Sequence, residues 1–309
     1  MQKIGFISLI VMLVFAGCLI SCASTSEESE KNDISEVSSI KQATPAKQES
    51  PASIENLELK TIEISTPKDG IIRERYTCTY GSTVRSFIVC KAAKSSPKAL
   101  VLMLHGYASS GESFMNDISF DEKAANENVM LLFVDGIPDP DDKTSASGWN
   151  SGLKDSSKDD LGFLKALAKT FQAEYSISRE RTFAAGFSNG AFMIHRLAVE
   201  ASERFGAFAS VAGYLPESVW NRRPESISAA FLQINGTKDD VVPMNATGTA
   251  KFNKNPAIED VIEYYKSASP NPDRIKHIII EGGRHSWPEE KFCGFDVDKL
   301  ILDFFLERK

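Results

Sequence analysis

The chain has 309 residues, 42% hydrophobic and 25% charged, a globular composition with room for one large α/β domain. Its formal net charge is −7, and no basic stripe interrupts the acidic balance, so no nucleic-acid partner is expected.

Met1-Gln2-Lys3 carries one positive side chain, residues 4–20 form an apolar run, and Ser21-Cys22-Ala23-Ser24 follows. That order of charged, apolar and small residues is a secretory signal over residues 1–22, too closely followed by polar sequence to span a membrane. Leu19-Ile20-Ser21-Cys22 resembles the bacterial lipoprotein signal, in which Cys22 becomes a lipidated N-terminus. Phe15-Ala16-Gly17-Cys18 is a weaker second match. The expected product is an extracytoplasmic protein whose membrane partner is reached through an acyl anchor without a spanning segment. Residues 23–56 are rich in Ser, Glu, Lys, Gln, Thr and Pro, with no aromatic side chain. Such a stretch buries too little apolar surface to offset the entropy of ordering and is expected to be a disordered tether.

Residues 57–309 are expected to fold as one domain. Residues 59–64, 72–79 and 84–90 have strand character around a turn at Gly81, which predicts antiparallel edge strands at the N-terminal side of the sheet. Buried-type apolar runs follow at 100–104, 129–134, 182–185, 207–212, 229–234 and 275–280. Helical periodicity separates them, with Leu161, Leu164, Ala168 and Phe171 on one face and Val297, Leu300, Ile301, Phe304 and Phe305 on another. Strand and helix in alternation predict a doubly wound, mostly parallel α/β sheet. Of the five cysteines, Cys18 and Cys22 belong to the signal. A hairpin at Tyr80-Gly81-Ser82 pairs Cys78 with a residue near Arg85, so a Cys78–Cys90 bridge is not expected. Those two and Cys293 lack the spacing of a metal site, and all three read as structural.

One stretch carries the chemistry. Thr182-Phe183-Ala184-Ala185 is a short apolar strand, Gly186-Phe187-Ser188-Asn189-Gly190 is a G-x-S-x-G turn, and helical sequence follows. An α/β-hydrolase holds its nucleophile on such a strand–turn–helix, which makes Ser188 the candidate. A serine hydroxyl needs a histidine to take its proton and a carboxylate to orient that histidine. His277 lies inside a strand, His195 two turns into the helix behind Ser188, and His105 at the end of the first central strand. His285, in the Gly-rich loop after the last strand, is the candidate base. Asp239 and Asp240 both follow the strand that ends near residue 234. Asp239 stands at the usual reach of the acid, whereas Asp240, just before Val241-Val242-Pro243, suits a turn cap or solvent. The candidate oxyanion donors are the backbone N–H groups of Asn189 and Tyr107. Residues 136–157 form a long loop that is either a lid or a surface insertion.

Six segments, Leu104-His105-Gly106, Gly148-Trp149-Asn150, Asp159-Asp160-Leu161-Gly162-Phe163, the serine turn, Asn235-Gly236-Thr237-Lys238-Asp239 and Gly282-Gly283-Arg284-His285-Ser286-Trp287-Pro288, run in family order. Together they resemble the esterases that group polyhydroxybutyrate depolymerases with feruloyl and acetylxylan esterases (carbohydrate esterase family one), over residues 85–305. The family often has cysteine or another small residue where Tyr107 stands. The resemblance implies an α/β-hydrolase fold and a serine esterase with Ser188 as nucleophile, Asp239 as acid and His285 as base. It also implies Tyr107 and Asn189 as oxyanion donors, no metal or organic cofactor, and Trp149 and Trp287 as walls of the substrate pocket. The expected substrate is a carboxylic ester, feruloyl or acetyl on plant polysaccharide. A polyester depolymerase is the nearest alternative, with a dienelactone hydrolase or peptidase as the other enzymatic reading. A surface lipoprotein that keeps the fold only as a binding scaffold is the alternative outside catalysis.

Overall fold

A computed structural model describes residues 53–62, 70–141, 143–244 and 254–307. The signal, the candidate lipidation site Cys22 and nearly all of the tether lie outside the described residues. Nine strands form one sheet: β1 (Ile54–Ile62), β2 (Ile71–Tyr80), β3 (Thr83–Ala92), β4 (Ala99–Leu104), β5 (Val129–Val134), β8 (Thr182–Phe187), β9 (Ala207–Val211), β10 (Ala230–Gly236) and β11 (Ile275–Ile280). Two short strands, β6 (Ile137–Pro138) and β7 (Ser147–Gly148), make a separate antiparallel pair. The order across the large sheet is β1-β2-β3-β5-β4-β8-β9-β10-β11. β1, β2 and β3 are antiparallel neighbours, β3 meets β5 antiparallel, and every pairing from β5 to β11 is parallel. This is the α/β-hydrolase architecture that the sequence predicts. One boundary differs, since β1 starts at Ile54, inside the segment expected to be tether. Cys78 pairs across the hairpin with Arg85, as the turn at Gly81 predicts, and Cys78, Cys90 and Cys293 are free thiols.

Helices α1 (Gly111–Asp117), α2 (Phe120–Asn126), α3 (Asp160–Tyr175), α4 (Asn189–Glu200), α5 (Glu217–Trp220), α6 (Ile258–Ala268), α7 (Glu290–Cys293) and α8 (Val297–Phe305) connect or follow the strands. Side chains alternate across a strand, so each central strand feeds two cores. Leu100, Leu102 and Leu104 of β4 pack with Phe163 and Leu167 of α3 and Leu197 of α4. Val101 and Met103 face the other way, toward Phe120 of α2 and Ile301 and Phe305 of α8. All six β4 residues are fully buried, which is why their sequence is continuously apolar.

The chain leaves β4 toward β5 on one side and returns to β8 on the other. The carboxyl ends of β4 and β8 therefore flank a topological switch point, where open α/β sheets form crevices. The loops after β4, β8, β10 and β11 carry Tyr107, Ser188, Asp239 and His285 to that edge.

Candidate active site

Ser188 sits between β8 and α4 with φ 53° and ψ −115°, a strained conformation for a residue with a side chain. The surrounding packing enforces it. A Cβ on Gly186 would lie 2.6 Å from the backbone of Gly190, and one on Gly190 would lie 2.1 Å from the Leu104 carbonyl oxygen. The two glycines thus let α4 start directly against β4. The Ser188 N–H donates to the Val211 carbonyl at 3.0 Å, tying the turn to the end of β9.

His285 Nε2 is 2.9 Å from Ser188 Oγ, and His285 Nδ1 is 2.8 Å from Asp239 Oδ2. A carboxylate only accepts, so Nδ1 carries the proton and the Nε2 lone pair faces the serine hydroxyl. Asp239 is 6% exposed, and its other oxygen accepts the N–H groups of Val241 at 3.0 Å and Val242 at 2.7 Å. Those bonds fix the plane of the carboxylate and leave one oxygen for the histidine. Asp240 is exposed. The structure therefore brings Ser188, His285 and Asp239 into one hydrogen-bonded chain.

The other histidines stand apart from it. His105 is fully buried; its Nε2 accepts the Gly136 N–H at 2.8 Å, and its Nδ1–H donates to the Gly106 carbonyl at 2.6 Å. Burial pushes its pKa down, so it stays neutral and ties the loop after β4 to the loop after β5. His195 is also fully buried, bonded to Tyr265 at 2.8 Å, Gln233 at 2.9 Å and Ser210 at 3.2 Å, and desolvation lowers its pKa to about 3. With no solvent path and no place in the cavity wall, it is a core histidine. His277, on β11, reaches Asn235 at 3.1 Å.

Asn189 is the first residue of α4, so its N–H has no intrahelical carbonyl to meet. Gly106 abuts the serine turn, where a Cβ would stand 3.5 Å from Ser188 Cβ, and this places Tyr107 on the same side. A cavity of about 810 Å³ opens over Ser188 and His285. Its apolar walls come from Phe114, Trp149, Phe187, Phe192 and Val242, and its polar end from Asp139, Lys154 and Asn150 among others. Trp149, which the resemblance implies as a pocket wall, lines this cavity. Trp287 does not: the loop turns it away, its ring packs edge-on against Phe114, and its Nε1–H donates to Asp298 at 2.7 Å. Phe114 lines the cavity and lies between it and the Trp287 ring.

Residues the sequence reading missed support this wall from behind. Lys158 is buried and donates to the Gly148 carbonyl at 2.7 Å and the Ile137 carbonyl at 2.9 Å, beside Asp160 at 3.6 Å. Asp160 pairs with the buried Arg85 at 2.8 Å and accepts the Asn150 N–H at 2.7 Å. Asp160 stands in one of the segments that carry the family resemblance, but the resemblance assigns it no role, and the run Lys158-Asp159-Asp160 before a helix ordinarily marks a solvated helix start. Much of the 136–157 loop is pinned by these bonds and forms one side of the cavity.

Residues 85–274, more than half of the chain, match the phospholipase/carboxylesterase family. The chain belongs to that family. As a phospholipase/carboxylesterase member it is a serine esterase-type α/β-hydrolase. It is 26% identical over 239 residues to a putative esterase, NocK, of Nocardia uniformis subsp. tsuyamanensis, covering 63% of this chain and 67% of that protein. Identity to a probable feruloyl esterase C of Aspergillus clavatus is 28% over 99 residues, 32% of this chain and 35% of the other. For feruloyl esterase B of Piromyces equi it is 25% over 154 residues, 49% of this chain and 28% of the relative. The chain thus spans about two thirds of the first relative and about a third of the other two. The fold of this family member is shared with an S-formylglutathione hydrolase of Agrobacterium tumefaciens, at TM-score 0.60 and 14% identity over 81% of this chain and 100% of that one. A dienelactone hydrolase of Anabaena variabilis shares it at TM-score 0.51 and 16% identity, over 77% and 99%.

Proposed function

We propose that this family member is an extracytoplasmic serine esterase that hydrolyses carboxylic esters through Ser188, His285 and Asp239. The observation that carries this reading is the Asp239–His285–Ser188 hydrogen-bond chain, at 2.8 and 2.9 Å, at the floor of the cavity. Ser188 Oγ attacks the ester carbonyl carbon as its proton passes to His285 Nε2, and the Asp239 carboxylate stabilises the imidazolium that forms. The N–H groups of Tyr107 and Asn189 receive the developing oxyanion. His285 then protonates the departing alkoxide, leaving an acyl group on Ser188. A water deprotonated by His285 releases the acid.

The cavity supports an aromatic acyl group. About 810 Å³ is much more than an acetyl group fills, and the aromatic walls at Phe114, Trp149, Phe187 and Phe192 suit a planar ring. Feruloyl esters on plant polysaccharide are therefore the favoured substrate, with acetyl esters and polyesters next. The order of charged, apolar and cysteine-containing sequence at the N-terminus supports export and lipidation on Cys22.

The test labels the domain from residue 53 onward with a fluorophosphonate and assays it on methyl ferulate, acetylated xylan and polyhydroxybutyrate. The expected result is an adduct on Ser188, lost in Ser188→Ala and His285→Ala, with turnover fastest on the ferulate. A folded protein that takes no label would make the chain a binding scaffold. Palmitate incorporation into the full-length chain, abolished by Cys22→Ala, checks the anchor.

A further inference from the structure

The two candidate oxyanion donors come from separate elements, Tyr107 from the loop after β4 and Asn189 from the start of α4. A tetrahedral oxyanion rewards donors within a few tenths of an ångström of the right place, so elements that drift independently would lose that benefit. Something has to set their spacing.

The segment Gly148-Trp149-Asn150 lies between them. The Trp149 backbone N–H donates to Asn189 Oδ1 at 2.7 Å, and its indole Nε1–H donates to the His105 carbonyl at 2.9 Å. One side chain and its own peptide nitrogen therefore hold both loops. The ring also packs on His105, with centroids 5.3 Å apart. The peptide bond joining Gly148 to Trp149 is fixed at its other end too, because Lys158 Nζ donates to the Gly148 carbonyl at 2.7 Å. At Gly148 a Cβ would stand 3.0 Å from Asn189 Oδ1 and 3.2 Å from the Tyr107 ring, so the glycine lets this strand sit tightly in the seam between the donors. Asn150 closes the arrangement. Its carbonyl accepts Arg196 Nη1 of α4 at 2.6 Å, and its side chain donates to the Ser156 and Lys158 carbonyls at 3.0 and 2.7 Å.

We propose that Trp149 is a positioning residue that sets the oxyanion hole, bracing the β4 loop through its indole N–H and the α4 start through its backbone N–H. The ring also forms cavity wall, but the two N–H groups do a separate job. The inference rests on the serine-esterase reading above, since a hole has meaning only if an oxyanion forms.

The two roles separate kinetically. Trp149→Phe keeps an aromatic wall and removes the indole donor. Asn189→Ala removes the acceptor of the backbone N–H while leaving the Asn189 N–H itself. A group that acts on the transition state alone lowers kcat and leaves KM unchanged. Each variant is expected to lose about tenfold in kcat, less than the loss of a whole donor, with KM within about twofold. Phenylboronic acid, which bonds to Ser188 Oγ and places an oxygen in the hole, is expected to bind about tenfold more weakly to each. The double variant is expected to lose clearly less than the product of the single losses, because both act on one assembly. A raised KM with unchanged kcat would reduce Trp149 to a wall, and unchanged kcat or fully multiplying losses would also overturn the brace. Circular dichroism and melting checks accompany each variant; if Trp149→Phe does not fold, Asn189→Ala decides by the same split. A wild-type protein inert to esters and to phenylboronic acid would sink the esterase reading itself. Active wild type with unaffected variants would sink only the brace.

Discussion

The acid illustrates how far a single side chain can be read. Asp239 and Asp240 are chemically identical in the sequence, and only the backbone path separates them. In the structure Val241 and Val242 present their N–H groups to Asp239, so its orientation comes from the turn and not from the histidine alone. Asp239→Asn preserves size but places an amide opposite Nδ1, which favours the wrong imidazole tautomer. With an otherwise intact fold, kcat on an ester substrate is expected to fall by about 10³- to 10⁴-fold, measured by steady-state kinetics beside an unchanged melting temperature. A loss under about tenfold would mean that another group orients His285. Trp287 shows where reading by residue fails. It is two positions from His285, yet the loop's path sends it to Phe114 and Asp298, and nothing in a tryptophan's identity reports which way a loop turns.

Elements were more legible than their contents. The central strands stand out in the sequence because burial on both faces makes them largely apolar, with Ser210 in β9 and Gln233 and Asn235 in β10 as buried polar exceptions, and the hairpin at Gly81 fixes Cys78 opposite Arg85. Helices α1 and α2 are harder to see, being seven residues each and too short for a clear period. The Lys158–Asp160–Arg85 cluster was hidden for a different reason: burial of a charge depends on partners 75 residues away along the chain. The start of α4 is set by close approach. A Cβ on Gly190 would stand 2.1 Å from a β4 carbonyl oxygen, and backbone cannot move aside as a side chain can. Gly190→Ala is expected to destabilise the fold by about 3 kcal/mol, read from the urea midpoint. An unchanged midpoint would show that α4 shifts freely on the sheet.

Across the whole molecule, three of the four histidines titrate below their ordinary range, His105, His195 and His277, each because burial opposes the charged form. Their folded pKa values lie below the unfolded value, so the unfolded chain binds more protons once the pH drops under about 6.5. Stability is then fully present above that pH and declines below it, by up to about 1.4 kcal/mol per pH unit for each such histidine. Urea midpoints at pH 7.5, 6.5 and 5.5 are expected to fall slightly over the first step and steeply over the second. Carboxylates titrate lower, so a flat or rising profile between pH 6.5 and 5.5 would contradict the desolvated, neutral state of these rings.

The placement of the thiols settles a question of circumstance. Cys78 belongs to one core and Cys90 to the other, on opposite faces of the sheet. Cys90 sits across from Arg73, five residues along β2 from Cys78, roughly 17 Å at the rise of a strand. No rotation of side chains can join them, and Cys78, Cys90 and Cys293 all stand as free thiols. The native packing around Cys78 and Cys90 therefore waits on no bond between them: each thiol fills its own core as an apolar group, one on either face of the sheet.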